Sequence, residues 1–193
     1  MANNNIEIEI QVNIENPDAL LLFLKDNAVF RGEKRQIDEY FTPPHRDFIE
    51  ARPAKEWLRL RDADGNCSIN YKNWYFDEAG KSDYCDEYET VVESSEQMRK
   101  IFSALNFKSL VVVEKVRKTW TYNDFAITMD SVKNLGDFAE IEYIGKDDKV
   151  DPIKTTDEMV ELLKKIGCGK IKRNYVGYPF LLLFPQEVKY DIL

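Results

Sequence analysis

The stretch Ile6-Glu7-Ile8-Glu9-Ile10-Gln11-Val12 decides the reading of this chain. Apolar and polar residues alternate without a break, which is the period of a strand with two different faces. Side chains two apart on a strand point the same way, roughly 7 Å apart given the strand rise. Glu7 and Glu9 therefore share a face. Glu87-Tyr88-Glu89 and Glu140-Ile141-Glu142 repeat the arrangement. A single Glu-x-Glu is usually a solvated strand face. Like charges side by side repel, so three such pairs ask for a cation, and a divalent metal would supply one.

Working outward, residues 5–14 read as a strand. Asn16-Pro17 opens a helix, with Asn16 as N-cap and an apolar face of Leu20, Leu21, Phe23 and Leu24. A strand is expected over 29–41, a proline-containing loop over 42–55, and hairpin strands over 56–61 and 67–75 joined by Asp62-Ala63-Asp64-Gly65-Asn66. Further strands are expected over 84–93, 108–121, 124–132 and 137–144. Ser94 to Gln97 has capping-box spacing and opens a helix to Leu105. Thr155-Thr156-Asp157-Glu158 opens another, ending before Gly167 or Gly169. The tail beyond Tyr175 reads as a short helix or a packed extended segment. Two-faced strands without a separating linker predict an α+β fold. Its centre is a closed eight-stranded antiparallel β-barrel with flanking helices, one domain over residues 1–193.

Composition narrows the function. The net charge of −8 disfavours a general nucleic-acid surface. No apolar run is long enough to span a bilayer, and the N-terminus lacks a signal pattern. Cys67, Cys85 and Cys168 are scattered and odd in number, as incidental thiols in a reducing compartment would be. A cytoplasmic protein is expected, without nucleic-acid or membrane partners; a homodimer is left open. His45 is the single histidine, which disfavours multi-histidine metal sites and Ser-His-Asp chemistry. Neither a P-loop nor a dinucleotide-binding glycine fingerprint is present.

The polar faces carry both signs. Arg59 and Arg61 share a face opposite Leu58 and Leu60, and Lys115 and Arg117 flank Val116 in the same way. If these faces line one barrel interior, it holds the carboxylates Glu7, Glu9, Glu87, Glu89, Asp130, Glu140 and Glu142. Facing them are the cations Arg59, Arg61, Lys72, Lys115 and Arg117. Such an interior needs pairing. A polyphosphate with Mg²⁺ or Mn²⁺ satisfies it: carboxylates take the hard cation, and Arg and Lys take phosphate oxygens. The aromatics Trp57, Trp74, Tyr75, Phe76 and Trp120 stack a base or fill the barrel wall.

From Glu7 to about Tyr178 the chain resembles the CYTH domain, or triphosphate tunnel metalloenzyme, family. The residues that carry the resemblance are Glu7-Ile8-Glu9-Ile10-Gln11, Gln36-Ile37-Asp38-Glu39-Tyr40-Phe41, Leu58-Arg59-Leu60-Arg61 with Lys72, and Asp86-Glu87-Tyr88-Glu89. Lys115-Val116-Arg117-Lys118, Asp130-Ser131-Val132 and Leu135-Gly136-Asp137-Phe138-Ala139-Glu140-Ile141-Glu142 complete it. The resemblance implies an eight-stranded barrel whose tunnel binds a triphosphate through the five basic residues. It implies divalent metal on Glu7, Glu9, Glu140 and Glu142. Glu7, Glu9, Gln11 and Lys115 are the catalytic candidates.

One position departs from the pattern: the family's Glu-x-Glu-x-Lys lysine is Gln11 here. The glutamine keeps hydrogen-bonding capacity but loses a cation and a proton-transfer role, and Lys118 is the neighbouring base that would compensate. The leading expectation is a class IV adenylyl cyclase-like enzyme forming cyclic AMP and pyrophosphate from ATP. The alternatives are a thiamine triphosphatase or inorganic tripolyphosphatase, and a non-catalytic polyphosphate-binding module. On sequence alone, Gln11→Lys is expected to raise triphosphatase turnover.

Overall fold

The structure, a computed structural model, describes residues 6–82, 84–146 and 149–193. Ten strands and four helices alternate along it. In order they are β1 (Ile6–Ile14), α1 (Pro17–Asn27), β2 (Val29–Thr42), β3 (Glu56–Ala63), β4 (Asn66–Trp74), β5 (Tyr84–Val92) and α2 (Ser95–Ala104). Then come β6 (Lys108–Tyr122), β7 (Phe125–Val132), β8 (Gly136–Tyr143), α3 (Pro152–Ile166), β9 (Ile171–Asn174), α4 (Gly177–Leu183) and β10 (Asp191–Ile192).

Eight strands follow the order β1-β5-β4-β3-β2-β6-β7-β8, and β8 pairs back onto β1, closing an antiparallel barrel. The expected α+β barrel is therefore present. One edge of β1 is shared: Ile6–Ile8 pair with β5, whereas Gln11–Ile14 pair with β9. That division admits two strands that sequence pattern misses, β9 and β10. β9 is four residues long, too short to show a period, and exists because β1 offers it a free edge.

Closure sorts the apolar residues into three clusters. The outward residues Ile8, Ile10, Val12, Ile127, Ala139 and Ile141 pack beneath Leu20 and Leu24 of α1 and Met159 and Leu163 of α3. A second apolar cluster joins Tyr40, Trp57, Val113, Val132 and Phe138 to Tyr178, Phe180 and Leu181 of α4. Phe102 of α2 covers Phe41 and Leu60. Trp120 falls in the outer core beside Phe30.

Two expected boundaries shift. The 62–66 turn tightens to two residues, Asp64 and Gly65, at φ 51° and 85°. A two-residue turn with both φ values positive matches the twist of a hairpin, and Asp62 Oδ1 accepts from Gly65 N at 2.9 Å. Helix α3 starts at Pro152, three residues before the expected Thr155. Asp151 caps it, accepting from Ile153 N and Lys154 N, and proline suits the first helical turn. Its far end is the expected one: Gly167 is left-handed, φ 86°. The expected strand start at residue 5 lies outside the described residues. Among the described residues, no helix is long and apolar enough to cross a membrane.

Ile141 is fully buried between barrel and helices. Ile141→Ala is expected to lower unfolding free energy by about 2–5 kcal/mol, read from the urea midpoint at unchanged slope.

Candidate functional site

Barrel register decides which polar residues meet. Across the closing pair, Glu9 faces Glu142 and Gln11 faces Glu140. Lys72 faces Glu87 across β4 and β5, and Arg117 faces Asp130 across β6 and β7. The result is an interior cavity of about 180 Å³. Its lining includes Glu7, Glu9, Gln11, Arg59, Arg61, Lys72, Glu87, Glu89, Lys115, Arg117, Glu140 and Glu142. Twelve residues singled out in sequence thus converge on one space. Asp130 does not line it. That carboxylate lies behind the wall, accepting from Lys115 Nζ (3.0 Å), Arg117 Nε (2.7 Å) and Tyr178 Oη (2.9 Å).

Sequence reasoning passes over several residues. Asp38 is 1% exposed and accepts both Arg61 Nε and Nη2 at 2.7 Å. It is visible as a polar residue in phase with Gln36 and Tyr40, yet a single aspartate carries no motif. Tyr40, Asn70, Val176, Gly177, Tyr178 and Pro179 also line the cavity. The last four come from the start of α4, whose placement no local pattern predicts. Among the aromatics, Trp57 and Trp74 reach the cavity. Lys118, the expected compensating base, is on the outer face and pairs with Glu33 at 3.4 Å. Strand alternation puts it opposite Arg117.

The charges do not balance. Six carboxylates of the lining, with Asp38 and Asp130 behind it, meet five cations, an excess of three. Most are held. Arg61 and Arg117 grip Asp38 and Asp130, Lys115 is 3.0 Å from Asp130, and Lys72 is bonded to Glu7 and 3.6 Å from Glu87. Burial alone would raise Asp38 and Glu140, but their guanidinium partners hold both far below the usual carboxylate range. Three carboxylates behave oppositely. Burial, then Glu7, pushes Glu9 up to about 8. Burial, then Glu9, pushes Glu142 up to about 7. Glu7 is raised by burial despite Lys72. The formal surplus of three carboxylates thus coincides with three raised carboxyls, Glu7, Glu9 and Glu142, which hold their protons more tightly than free carboxyls do.

Those carboxylates are hard oxygen donors of the kind that hold Mg²⁺ or Mn²⁺. Among the described residues, no three His, Cys, Asp or Glu side chains already converge as a finished cation site. Lys72 sits on Glu7 and Arg117 on Glu140 instead. The donor set fits a hard cation in chemistry, and protein cations compete for two of its members. Lys115 is lowered to about 8 by burial and then by the like charge of Arg117, against the pull of Glu140 and Asp130. Arg59 is the least committed cation. Its ion pairs to Asp38 (3.8 Å) and Glu89 (3.7 Å) are longer than hydrogen bonds, and its buried Nε has no partner among the described residues.

The CYTH domain family matches residues 5–175 of the chain. This chain belongs to the CYTH domain family. A curated relative, "Putative adenylate cyclase" of Methanocaldococcus jannaschii, is 35% identical over 179 residues, covering 89% of this chain and 97% of its own. A solved protein from Pyrococcus horikoshii OT3 is 27% identical with a TM-score of 0.75, covering 93% of this chain and 99% of that one. A Hippeastrum structure described as a "putative adenylyl cyclase" with a dominant triphosphatase activity aligns with a TM-score of 0.60 at 19% identity, over 93% and 95% of the two chains. At that identity it supports the shared barrel alone.

The raised carboxylates give this CYTH barrel a pH signature. Folded Glu9 and Glu142 bind protons more tightly than in the unfolded chain, whose carboxyls titrate near 4.5. The metal-free folded state therefore loses stability as pH rises from about 4.5 to 8. Glu9→Gln is expected to flatten that decline and to gain on the order of 1–3 kcal/mol at pH 8.5. Thermal melts of both proteins in chelator, from pH 5 to 8.5, test this; parallel curves would show that Glu9 carries no such strain.

Proposed function

We propose that this protein is a divalent-metal-dependent enzyme that processes a triphosphate inside the barrel, with ATP cyclisation to cyclic AMP and pyrophosphate as its reaction. One observation carries the reading: an interior with three surplus carboxylates also holds an arginine, Arg59, with an unpartnered buried donor. An anion alone would worsen the surplus, and a cation alone would leave Arg59 unanswered. A metal–triphosphate complex answers both.

Glu7, Glu9 and Glu142 would hold Mg²⁺ or Mn²⁺, with Glu140, Glu87 and Glu89 completing the acidic wall. Bound there, the cation neutralises phosphate charge and polarises phosphoryl oxygens. Arg59, Arg61, Lys72, Lys115 and Arg117 would grip the phosphates. Lys72 would pass from Glu7 to a phosphate oxygen as Glu7 engages metal. The cavity is below the roughly 300–1,000 Å³ of sites that swallow a whole small molecule. In this reading the cavity takes the triphosphate and leaves the organic group outside it. Cyclisation then asks the wall to hold the α-phosphoryl group against the ribose 3′-hydroxyl while charge builds on the leaving pyrophosphate. In this reading the neutral form of Lys115, whose pKa burial lowers to about 8, would take the 3′-hydroxyl proton in the absence of a lysine at position 11.

The relative of 35% identity favours the cyclase reading. Gln11 weakens the hydrolytic reading, because it puts no lysine beside Glu7 and Glu9 to position or activate a water. A triphosphatase acting on thiamine triphosphate or tripolyphosphate is the second reading. Incubation with ATP, thiamine triphosphate and tripolyphosphate under Mg²⁺ or Mn²⁺ separates them. Cyclic AMP is the expected product, orthophosphate would move the assignment to hydrolysis, and binding without product would leave a sensor module.

Arg59 supplies a sharper check. Arg59→Ala is expected to weaken triphosphate affinity at least tenfold, the order of a lost charge-assisted bond. Arg59→Lys should restore little of it, since an ammonium lacks the planar fork. Titration calorimetry with a non-hydrolysable ATP analogue measures both, and full rescue by lysine would remove the special place given to Arg59.

A further inference from the structure

Asn174 ends β9 and is 2% exposed, and it does not line the cavity. Its side-chain amide is committed at both ends. Nδ2 donates to Gln11 Oε1 at 3.0 Å. Oδ1 accepts from Val176 N at 3.2 Å and Gly177 N at 3.3 Å, the entrance to α4. Gln11 in turn donates Nε2 to Glu140 Oε1 at 2.9 Å. One amide therefore joins the acidic face of the cavity to its α4 wall, where Tyr178 reaches back to Asp130. The bonds run in one direction, from Asn174 to Gln11 to Glu140.

We propose that Asn174 is a positioning residue that fixes the donor direction of Gln11 and latches the entrance of α4 against the acidic face. The inference rests on the triphosphate reading only for its ligand readout. Its content is a coupling between positions 11 and 174. A lysine at position 11 has donors and no acceptor. Facing Nδ2, it strands a buried donor, or it turns the Asn174 amide over and frees the N–H groups of Val176 and Gly177. Both outcomes are costly for buried groups. An aspartate at position 174 alone meets Gln11 Oε1 acceptor to acceptor. Gln11 must then turn its amide towards the new carboxylate and release Glu140. The two changes together match again. The ammonium meets a carboxylate, and the carboxylate still accepts from both α4 amides. The gain in turnover that the sequence motif suggests for Gln11→Lys therefore requires the second change.

The test compares wild type, Gln11→Lys, Asn174→Asp and the double variant. Tripolyphosphate affinity is measured in Mg²⁺, and amide hydrogen exchange at Val176 and Gly177 is measured without ligand. Each single change is expected to weaken affinity about tenfold, and Gln11→Lys to speed exchange at both amides. The double variant is expected to return to within about threefold of wild type, the mark of a direct coupling. A purely structural role for Asn174 would move melting temperature and leave affinity unchanged well below the melt. Additive losses, or Asn174→Asp at wild-type affinity, overturn the proposal. If the aspartate variant does not fold, Asn174→Ser serves, which keeps an oxygen near α4 but falls short of Gln11. Unchanged affinity there also overturns it. Absence of tripolyphosphate binding in wild type would defeat the triphosphate reading, and the exchange measurements would still decide the coupling.

Discussion

Pairing of β8 with β1 is the constraint on which the rest depends. It brings Glu9 opposite Glu142 and Gln11 opposite Glu140, and it does so in a space that excludes most water. In open solvent those carboxylates would repel weakly. Inside the barrel lost hydration, with repulsion from Glu7 on Glu9 and from Glu9 on Glu142, pushes Glu9 up to about 8 and Glu142 up to about 7. The fold thus carries a standing electrostatic demand, held in place by an outer core of Ile8, Ile10, Val12 and Ile141 against α1 and α3.

The other charges show how such an interior persists. Asp38 is held by Arg61, and Asp130 by Arg117, Lys115 and Tyr178, and both sit behind the lining. They act as counter-ions that hold Arg61 and Arg117 in orientation. A buried ion pair of this kind adds little net stability, because desolvation offsets attraction. Its contribution is placement: cations presented towards the cavity, with their remaining donors free for a ligand. Cys85 shows the same environment from another side. Its thiol lies 3.2 Å from Glu7 and is pushed up by burial, so it remains an inert, protonated neighbour.

Helix α4 gives the cavity one of its walls. Val176, Gly177, Tyr178 and Pro179 line it, while Phe180 and Leu181 anchor in the apolar cluster around Trp57 and Phe138. A seven-residue helix has little stability of its own. It is held by that cluster and by the side chain of Asn174. The shape of the cavity therefore depends on residues far from Glu7 in sequence and outside the acidic and basic strands.

The sequence by itself determined the eight barrel strands, their two faces, and the eleven charged residues that line the cavity. Strand alternation is a local property, and Glu7-Ile8-Glu9 or Arg59-Leu60-Arg61 displays it without reference to any partner. Only the tertiary structure decided that Asp130 stands behind the wall, that Asp38 is a counter-ion, and that Lys118 meets Glu33. Register and shear set those positions, and neither is written in any single strand. The same holds for Gln11. As a letter it is a missing lysine; in the fold it is a neutral link between Glu140 and Asn174, because two strands that meet only on β1 bring those side chains to it.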